Sequence, residues 1–216
     1  GDISKLVERP VTAADEVASF DAASDDRRFS VAVAAFGQKL RGTSQTAGLS
    51  WDRIAEIAAG ADAVVSAFGP ASSDPRYTTD QDYTDQLVSV TERVIAAARK
   101  AKAPRLVVVG GCGSLEFSPG VTVLDSGFWP QPYVAIAKSH VKAFAALRAS
   151  DINWTYFSCP MSITPGERTG KFRLGGDNLV KDAEGKSRIS FEDYAVALVD
   201  ELEKPAHERA RFTAAY

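Results

Sequence analysis

Cysteine and histidine are scarce in this sequence of 216 residues, which contains two of each. Cys112 and Cys159 follow two separate predicted strands. Two cysteines are too few for a disulfide framework, and two histidines do not make a metal cluster. The composition therefore excludes disulfide-rich and metal-centred classes of protein, and the reducing cytoplasm is the expected compartment.

An excess of basic charge and long hydrophobic runs are also missing. The net charge is -3, whereas a surface that binds nucleic acid usually shows a clustered basic excess. No apolar run approaches the length that spans a bilayer, and the chain does not begin with a charged-then-apolar signal pattern. With 45% apolar and 25% charged residues, the sequence is typical of a soluble globular protein without nucleic-acid or membrane partners.

The stretch PRLVVVGGCGSL at residues 104–115 organises the rest of the chain. Residues 106–109 form an apolar run rich in β-branched side chains, which is typical of a strand buried on both faces. Gly110, Gly111 and Gly113 follow at once, and glycine lets the backbone approach another molecule closely. We therefore expect Ser114 at the carboxyl edge of a sheet, where open α/β folds bind their ligands.

Strands and helices alternate regularly from residue 61 onward. Buried-type strands are predicted at 62–67, 105–110, 152–158 and 211–215, with amphipathic helices between them. Ser190 and Asp193 form a capping-box pattern at the start of the last helix. Residues 164–189 read as a small extended excursion on the substrate side. This rhythm predicts an α/β fold, with a parallel sheet and helices on both faces.

Residues 1–60 follow a different pattern and are predicted to be a helical N-terminal segment, distinct from the domain at 61–216. Phe29, Val33, Phe36 and Leu40 fall at helical spacing. The alternative makes SVAVAAFG, residues 30–37, the first strand of a nucleotide-binding fold. We reject it because only about 25 residues separate it from the next strand, fewer than a βαβ unit with further intervening strands needs. A second helix is expected to begin after Ser50 as its N-cap.

Several motifs in residues 58–216 resemble the atypical short-chain dehydrogenase/reductases, in particular the NmrA-like and NADH-flavin-reductase-like proteins. They are ADAVVSAFGP, RLVVVGGCGSLEFSPG, INWTYFSCP, PGERTGKFRLGGD, SRISFEDYAVALVDELEKP and RFTAAY. The resemblance implies an NAD(P)-binding oxidoreductase that transfers a hydride from NADPH or NADH to a small oxidised substrate, such as a flavin or a quinone. It also implies a Rossmann-like fold, and its alternatives are a non-catalytic dinucleotide sensor and an inactive truncated remnant.

The Gly-x-x-Gly-x-x-Gly loop, with which such proteins bind the cofactor pyrophosphate, is absent from the sequence. The first half of the fold is therefore expected to be missing or replaced. Strand 62–67 would then expose an unpaired edge, which residues 1–60 or a second subunit in a homo-oligomer would have to cover. Residues 3–51 resemble the C-terminal tail of bacterial von Willebrand factor A-type proteins, which implies a junction near residues 50–61.

The resemblance also assigns site residues. Ser114 would be the catalytic polar group beside the nicotinamide, and Tyr133 and Arg168 would lie on the substrate side. Tyr133 and Lys138 do not form a Tyr-x-x-x-Lys dyad, since a spacing of five turns them about 140° apart on a helix. The positions that would line the cofactor are Ala67, Phe68, Gly69, Gly110, Gly111, Cys112 and Pro160. A glycine-rich turn with a serine cap and a buried filler cysteine is the alternative reading of residues 110–114.

Overall fold

A central sheet of seven strands in the order β1-β2-β3-β4-β7-β11-β9 forms the frame of the computed structural model, which describes residues 18–24, 27–34, 55, 56 and 58–216. The sheet consists of β1 (Ala18–Ser24), β2 (Arg27–Ala34), β3 (Ala63–Ser66), β4 (Leu106–Gly110), β7 (Trp154–Ser158), β9 (Arg173–Gly175) and β11 (Ala210–Ala215). Strands β2, β3, β4, β7 and β11 run parallel, while β1 and β9 are antiparallel to their neighbours. Two small pairs complete the strands: β5 (Glu116–Ser118) with β6 (Val121–Thr122), and β8 (Ser162–Thr164) with β10 (Arg188–Ser190).

The principal helices lie between the strands. They are α1 (Arg76–Thr79), α2 (Gln81–Thr84), α3 (Gln86–Ala101), α4 (Val134–Arg148) and α5 (Phe191–Glu203), with a 3₁₀ turn at Gln131–Tyr133 before α4. The predicted cap of α5 is confirmed, because the Ser190 hydroxyl accepts the N–H of Asp193 at 3.0 Å. Among the described residues, the search for a helix long and apolar enough to cross a membrane found none.

Two hydrophobic clusters lie on opposite faces of the sheet, and each packs helices against its own face. Side chains alternate along a strand, so Val64 and Val65 of β3 point to different faces. One cluster joins Val64 to buried residues of the other sheet strands and of α3 and α4: Leu106, Val108, Trp154, Tyr156, Val94, Ile95, Ala98, Phe144 and Leu147. The other joins Val65 to Val107 and to Leu202 of α5. The predicted Rossmann-like α/β class, with helices on both faces, is confirmed.

The predicted helix through Phe29 and Val33 is wrong, because these residues lie in the strand β2. This strand pairs in parallel with β3, with Val31 opposite Ala63 and Ala34 opposite Ser66. Our argument against a strand assumed further strands between the two. Direct neighbours need only one crossover of about a dozen residues, for which the chain has room. Phe36, Leu40 and Ser50 lie outside the described residues.

The edge of β3 is covered from within the chain. Strand β2 supplies the hydrogen-bonding partner of β3, and β1 then extends the sheet as an antiparallel neighbour. Strands from residues 1–60 therefore cover this edge, as the first of the two expected possibilities required. The edge does not require a second subunit. The parallel strands end at Ala34, Ser66, Gly110 and Ser158, so these four ends share one edge of the sheet.

Candidate functional site

A cleft of about 390 Å³ opens at the carboxyl ends of β4 and β7. The volume lies within the usual range of small-molecule sites, roughly 300–1,000 Å³. Its wall combines the glycine turn after β4, the segment after β7, the start of α4 and part of α1. The lining residues are Gly111, Cys112, Gly113, Cys159, Met161, Phe128, Trp129, Pro130, Tyr133, Ile136, Ala137, His140 and Tyr77.

Two aromatic rings explain why β4 ends in consecutive glycines. A Cβ added to Gly110 would lie 2.0 Å from Cζ of Tyr156, and one added to Gly111 would lie 2.8 Å from Cγ of His140. Both distances are shorter than any real carbon contact, so neither position accepts a side chain unless its neighbour moves. Glycine at these positions therefore serves the packing of the site floor, whatever ligand the cleft receives.

His140 fixes the first peptide group of the glycine turn. The backbone N–H of Gly111 donates to Nδ1 of His140 at 3.1 Å and also approaches the Tyr156 hydroxyl at 3.2 Å. Burial lowers the pKa of His140 to about 4, so the ring is neutral near pH 7. Because Nδ1 accepts this hydrogen bond, the neutral ring carries its proton on Nε2. This half-buried histidine lines the cleft with a neutral imidazole.

The two cysteines of the chain meet in the wall of the cleft. Cys112 is buried in the glycine turn, and Cys159 follows β7 with its N–H bonded to the carbonyl of Gly110 at 3.0 Å. Cys159 packs against the buried cluster that contains Cys112. The neighbouring Cys112 thiol lowers the pKa of Cys159, and the Cys159 sulfur together with burial raises the pKa of Cys112. Both cysteines are reduced.

Ser114 is held by an arginine from the last strand of the sheet. Nη1 of Arg211 donates to Oγ of Ser114 at 2.8 Å, and its Nη2 pairs with Asp177 at 2.6 Å. The Arg211 side chain is only 7% exposed, and its guanidinium carbon lies 4.9 Å from the centre of the Phe144 ring. The Ser114 side chain therefore faces this arginine, and the residues that line the described cleft do not include it.

Exposed aromatic and apolar side chains form the mouth of the cleft. Phe128, Tyr133 and Met161 are exposed by 69%, 48% and 40%, respectively. Tyr133 packs edge-to-face on Tyr77, with ring centres 6.5 Å apart. Large apolar side chains exposed around a concavity indicate a ligand with apolar faces. A planar ring fits such a mouth better than a compact charged group does.

The structure brings some of the predicted site residues together and leaves others apart. Gly111, Cys112 and Tyr133 line the cleft, and Gly110 lies directly behind it. Other predicted residues lie elsewhere: Ala67 and Gly69 are exposed just after β3, Phe68 packs beside Leu87 and Ile136, Pro160 is buried, and Arg168 is exposed in the excursion. Residues that we did not predict also contribute: His140, Cys159, Trp129, Met161 and Arg211. Two of these carried a signal in the sequence: Cys159 follows a predicted strand, and His140 lies on the apolar stripe of the predicted helix before strand 152–158.

A family model described as NAD(P)H-binding matches residues 38–205. The chain belongs to this NAD(P)H-binding family. The match begins about twenty residues before the first of the motifs that carried the resemblance. A second model, described as the C-terminal part of the uncharacterized protein YfbK, matches residues 1–67. That description names no von Willebrand factor A domain, so this part of the resemblance stays a prediction.

Three relatives of this NAD(P)H-binding chain cover most of its length. The uncharacterized protein YwnB of Bacillus subtilis is 38% identical over 156 residues, which are 70% of this chain and 69% of YwnB. A crystal structure from Burkholderia pseudomallei, described as a "putative exported protein", is 42% identical with a TM-score of 0.69 and covers 77% of each chain. A Streptococcus pneumoniae structure, described as a "putative NADH-flavin reductase", is 31% identical with a TM-score of 0.65 and covers 77% of this chain and 75% of its own.

Two observations test whether the described residues of this family member fit a nicotinamide dinucleotide. The turn at Gly111 and Gly113 leaves backbone at the cleft, where a flat ring can approach it. A Cβ on Gly69, at the exposed end of β3, would meet nothing within 4 Å, so this neighbouring strand end is open as well. The nicotinamide end of a dinucleotide therefore fits. The sequence offers no Gly-x-x-Gly-x-x-Gly loop for the pyrophosphate.

Proposed function

We propose that this protein is an NAD(P)H-dependent reductase that acts on a small, planar, oxidised substrate such as a flavin or a quinone. One observation carries the proposal: the aromatic-rimmed cleft opens on the glycine turn at the carboxyl edge of β4, where this fold class binds its ligands. The description of the Streptococcus pneumoniae relative as an NADH-flavin reductase supports the same substrate class.

The nicotinamide cofactor, when bound, supplies the hydride. Gly111 and Gly113 would receive its ring, while the backbone from Ala67 to Gly69 would follow the rest of the molecule. Cys112 and Pro160 would form the wall behind it. These residues orient the cofactor and keep water away from the transfer, which is the share of the chemistry that a protein contributes in such reactions.

Polar groups near the cleft would orient the substrate and donate a proton to it. Neutral His140 can donate from Nε2 to a carbonyl or ring nitrogen, with no change in its own charge. Ser114 remains the proposed catalytic residue for proton delivery. Arg211 donates to the Ser114 oxygen, so the hydroxyl proton is not used in that bond and stays available. For this role the hydroxyl has to turn toward the cleft. Tyr133 and Arg168 are the proposed substrate-side residues.

A titration of NADPH and NADH, followed by tryptophan fluorescence, tests binding directly. Trp129 lies in the cleft wall and is the reporter. We expect saturable quenching that is lost in Trp129→Phe, whereas calorimetry still detects binding in the variant. If neither NADPH nor NADH binds at millimolar concentration, the proposal is overturned and an inactive remnant is the remaining explanation.

Turnover then separates a reductase from a sensor. The missing phosphate loop is the feature that favours a non-catalytic dinucleotide sensor, which would bind NADPH or NADH without oxidising it. Oxidation is followed by the loss of nicotinamide absorbance with a flavin or a quinone as acceptor. Catalytic turnover supports the reductase, whereas tight binding with no turnover over a panel of acceptors supports the sensor. A reducing compartment such as the cytoplasm suits the two free thiols.

A further inference from the structure

The adjacent thiols of Cys112 and Cys159 are a chemical feature that hydride transfer does not use. They come from neighbouring strands: β4 and β7 pair with Gly110 opposite Ser158, and each cysteine lies one or two residues beyond that pair. The N–H of Cys159 bonds to the carbonyl of Gly110, which holds the two chain segments together. Both side chains line the same cleft. Their proximity is therefore fixed by the sheet.

The packing of the cleft wall brings the two side chains into the same place. Cys159 packs against the buried cluster of which Cys112 is a member. Neighbouring paired strands are about 4.8 Å apart, and a disulfide joins Cα atoms that are about 4.4–6.8 Å apart. Two cysteines that follow adjacent strands therefore start within the range that a disulfide can bridge.

We propose that Cys112 and Cys159 form a reversible, peroxide-sensitive dithiol site, in which Cys159 reacts first and Cys112 resolves the product as an intramolecular disulfide. The difference in exposure assigns the order. Cys112 is 3% exposed, whereas Cys159 keeps more of its surface open. The neighbouring Cys112 thiol also lowers the pKa of Cys159, which favours the reactive thiolate there.

The reaction balances with a hydroperoxide as the oxidant. The Cys159 thiolate attacks one peroxide oxygen; the S–O bond forms, the O–O bond breaks, and the leaving hydroxide or alkoxide takes up a proton. The Cys112 sulfur then attacks the sulfenic sulfur, the S–S bond forms, and the S–O bond breaks as water leaves. Two thiols are oxidised by two electrons, and one peroxide is reduced. A dithiol reductant reverses the change through a mixed disulfide.

Hydrogen peroxide is the probe in the first experiment on the full chain. The number of thiols that react with Ellman's reagent under denaturing conditions is expected to fall from two to none, because the chain contains two cysteines. The mass is expected to fall by about 2 Da, since two hydrogens leave and no oxygen is retained. Dithiothreitol should restore both thiols, and the protein should run at unchanged size on a non-reducing gel.

Two serine variants establish the order of reaction. In Cys112→Ser the sulfenic acid on Cys159 persists, so dimedone is expected to label this residue. In Cys159→Ser the remaining thiol is buried, and labelling should be at least about tenfold slower. The wild-type mass measurement needs neither variant, so it remains decisive if a variant folds poorly. Survival of both thiols in excess peroxide, cross-linked dimers instead of an internal bond, or faster labelling of Cys112 would overturn the proposal.

Discussion

Arg211 and Ser114 are 97 residues apart in the sequence, and a hydrogen bond of 2.8 Å joins them. The guanidinium comes from the last strand, and the hydroxyl follows the glycine turn of β4. A buried arginine that makes charge-assisted bonds in two directions holds its partners more firmly than a surface pair does. This contact links the proposed catalytic residue to β11, which lies two strands away from β4 in the sheet.

The variant Ser114→Ala is expected to lower kcat on the order of 100-fold, with a much smaller effect on the KM for the nucleotide, because it removes a proton donor and leaves the glycine turn in place. Steady-state kinetics with a flavin or quinone acceptor measures the effect. Asp177→Asn is the matched control, since it removes the negative charge of the exposed partner of Arg211 and keeps the Arg211–Ser114 bond. An equal loss of kcat in both variants would contradict the catalytic role of Ser114.

Gly111→Ala is expected to weaken nucleotide binding at least about tenfold and to lower the melting temperature, since the new methyl would displace the His140 ring. Calorimetric titration and thermal unfolding measure the two effects. Gly113→Ala is the control for the melting temperature in the same turn, because its nearest neighbour would be Cβ of Ala137 at 3.4 Å, an ordinary contact. If Gly113→Ala lowers the melting temperature as much as Gly111→Ala does, crowding against His140 is not the cause.

His140 makes the stability of the fold depend on pH. Burial lowers its pKa from 6.5 to about 4, so the unfolded chain binds this proton more readily than the folded chain does. Stability is therefore expected to fall as the pH drops from about 6.5 to about 4, by at most about 3 kcal/mol.

Urea unfolding measured at intervals of pH tests this dependence. In His140→Asn, the amide oxygen can still accept the N–H of Gly111, and the side chain has no proton to gain. The variant is expected to keep most of its stability at pH 7.5 and to lose the extra slope between pH 4 and 6.5. A wild-type and a variant curve with the same slope would show that this histidine does not titrate as described.

A buried ion pair supports the opposite edge of the sheet from the cleft. Arg105 and Glu201 are 5% and 4% exposed, and Arg105 also donates to Oγ1 of Thr155 at 2.7 Å. Burial by itself would raise the pKa of Glu201, but hydrogen bonds from His207 and Arg105 outweigh it and lower the pKa. The carboxylate therefore remains ionised and depends on these partners.

The variant Arg105→Met is expected to destabilise the fold by about 3–5 kcal/mol, because it leaves a buried carboxylate without its cation. Guanidinium unfolding measures the change. The double variant Arg105→Met with Glu201→Leu should recover much of the loss, since neither charge then remains buried. Asp151→Asn, which opens the exposed pair with Arg99, should leave the unfolding midpoint almost unchanged. A double variant no more stable than Arg105→Met alone would contradict this explanation.

Local sequence patterns predicted correctly the elements whose own residues show a distinctive composition or cap. The apolar β-branched run of β4 and the Ser190 cap of α5 both appear where the sequence placed them. The strand β2 did not, because its apolar spacing also fits a helix. Its hydrogen bonds to β3 reach partners about thirty residues away, and such pairing overrides local spacing.

The sequence by itself determined the α/β class, the glycine turn as the region of the candidate site, and the absence of the usual phosphate loop. Only the tertiary structure decided what surrounds that turn: His140 on the Gly111 peptide, Cys159 beside Cys112, and Arg211 on Ser114. Runs of apolar residues and of glycines can be recognised in the sequence, because residues that are neighbours in the chain belong to the same strand, helix or turn. Contacts between side chains on different strands and helices depend on strand order and packing, which no local pattern specifies.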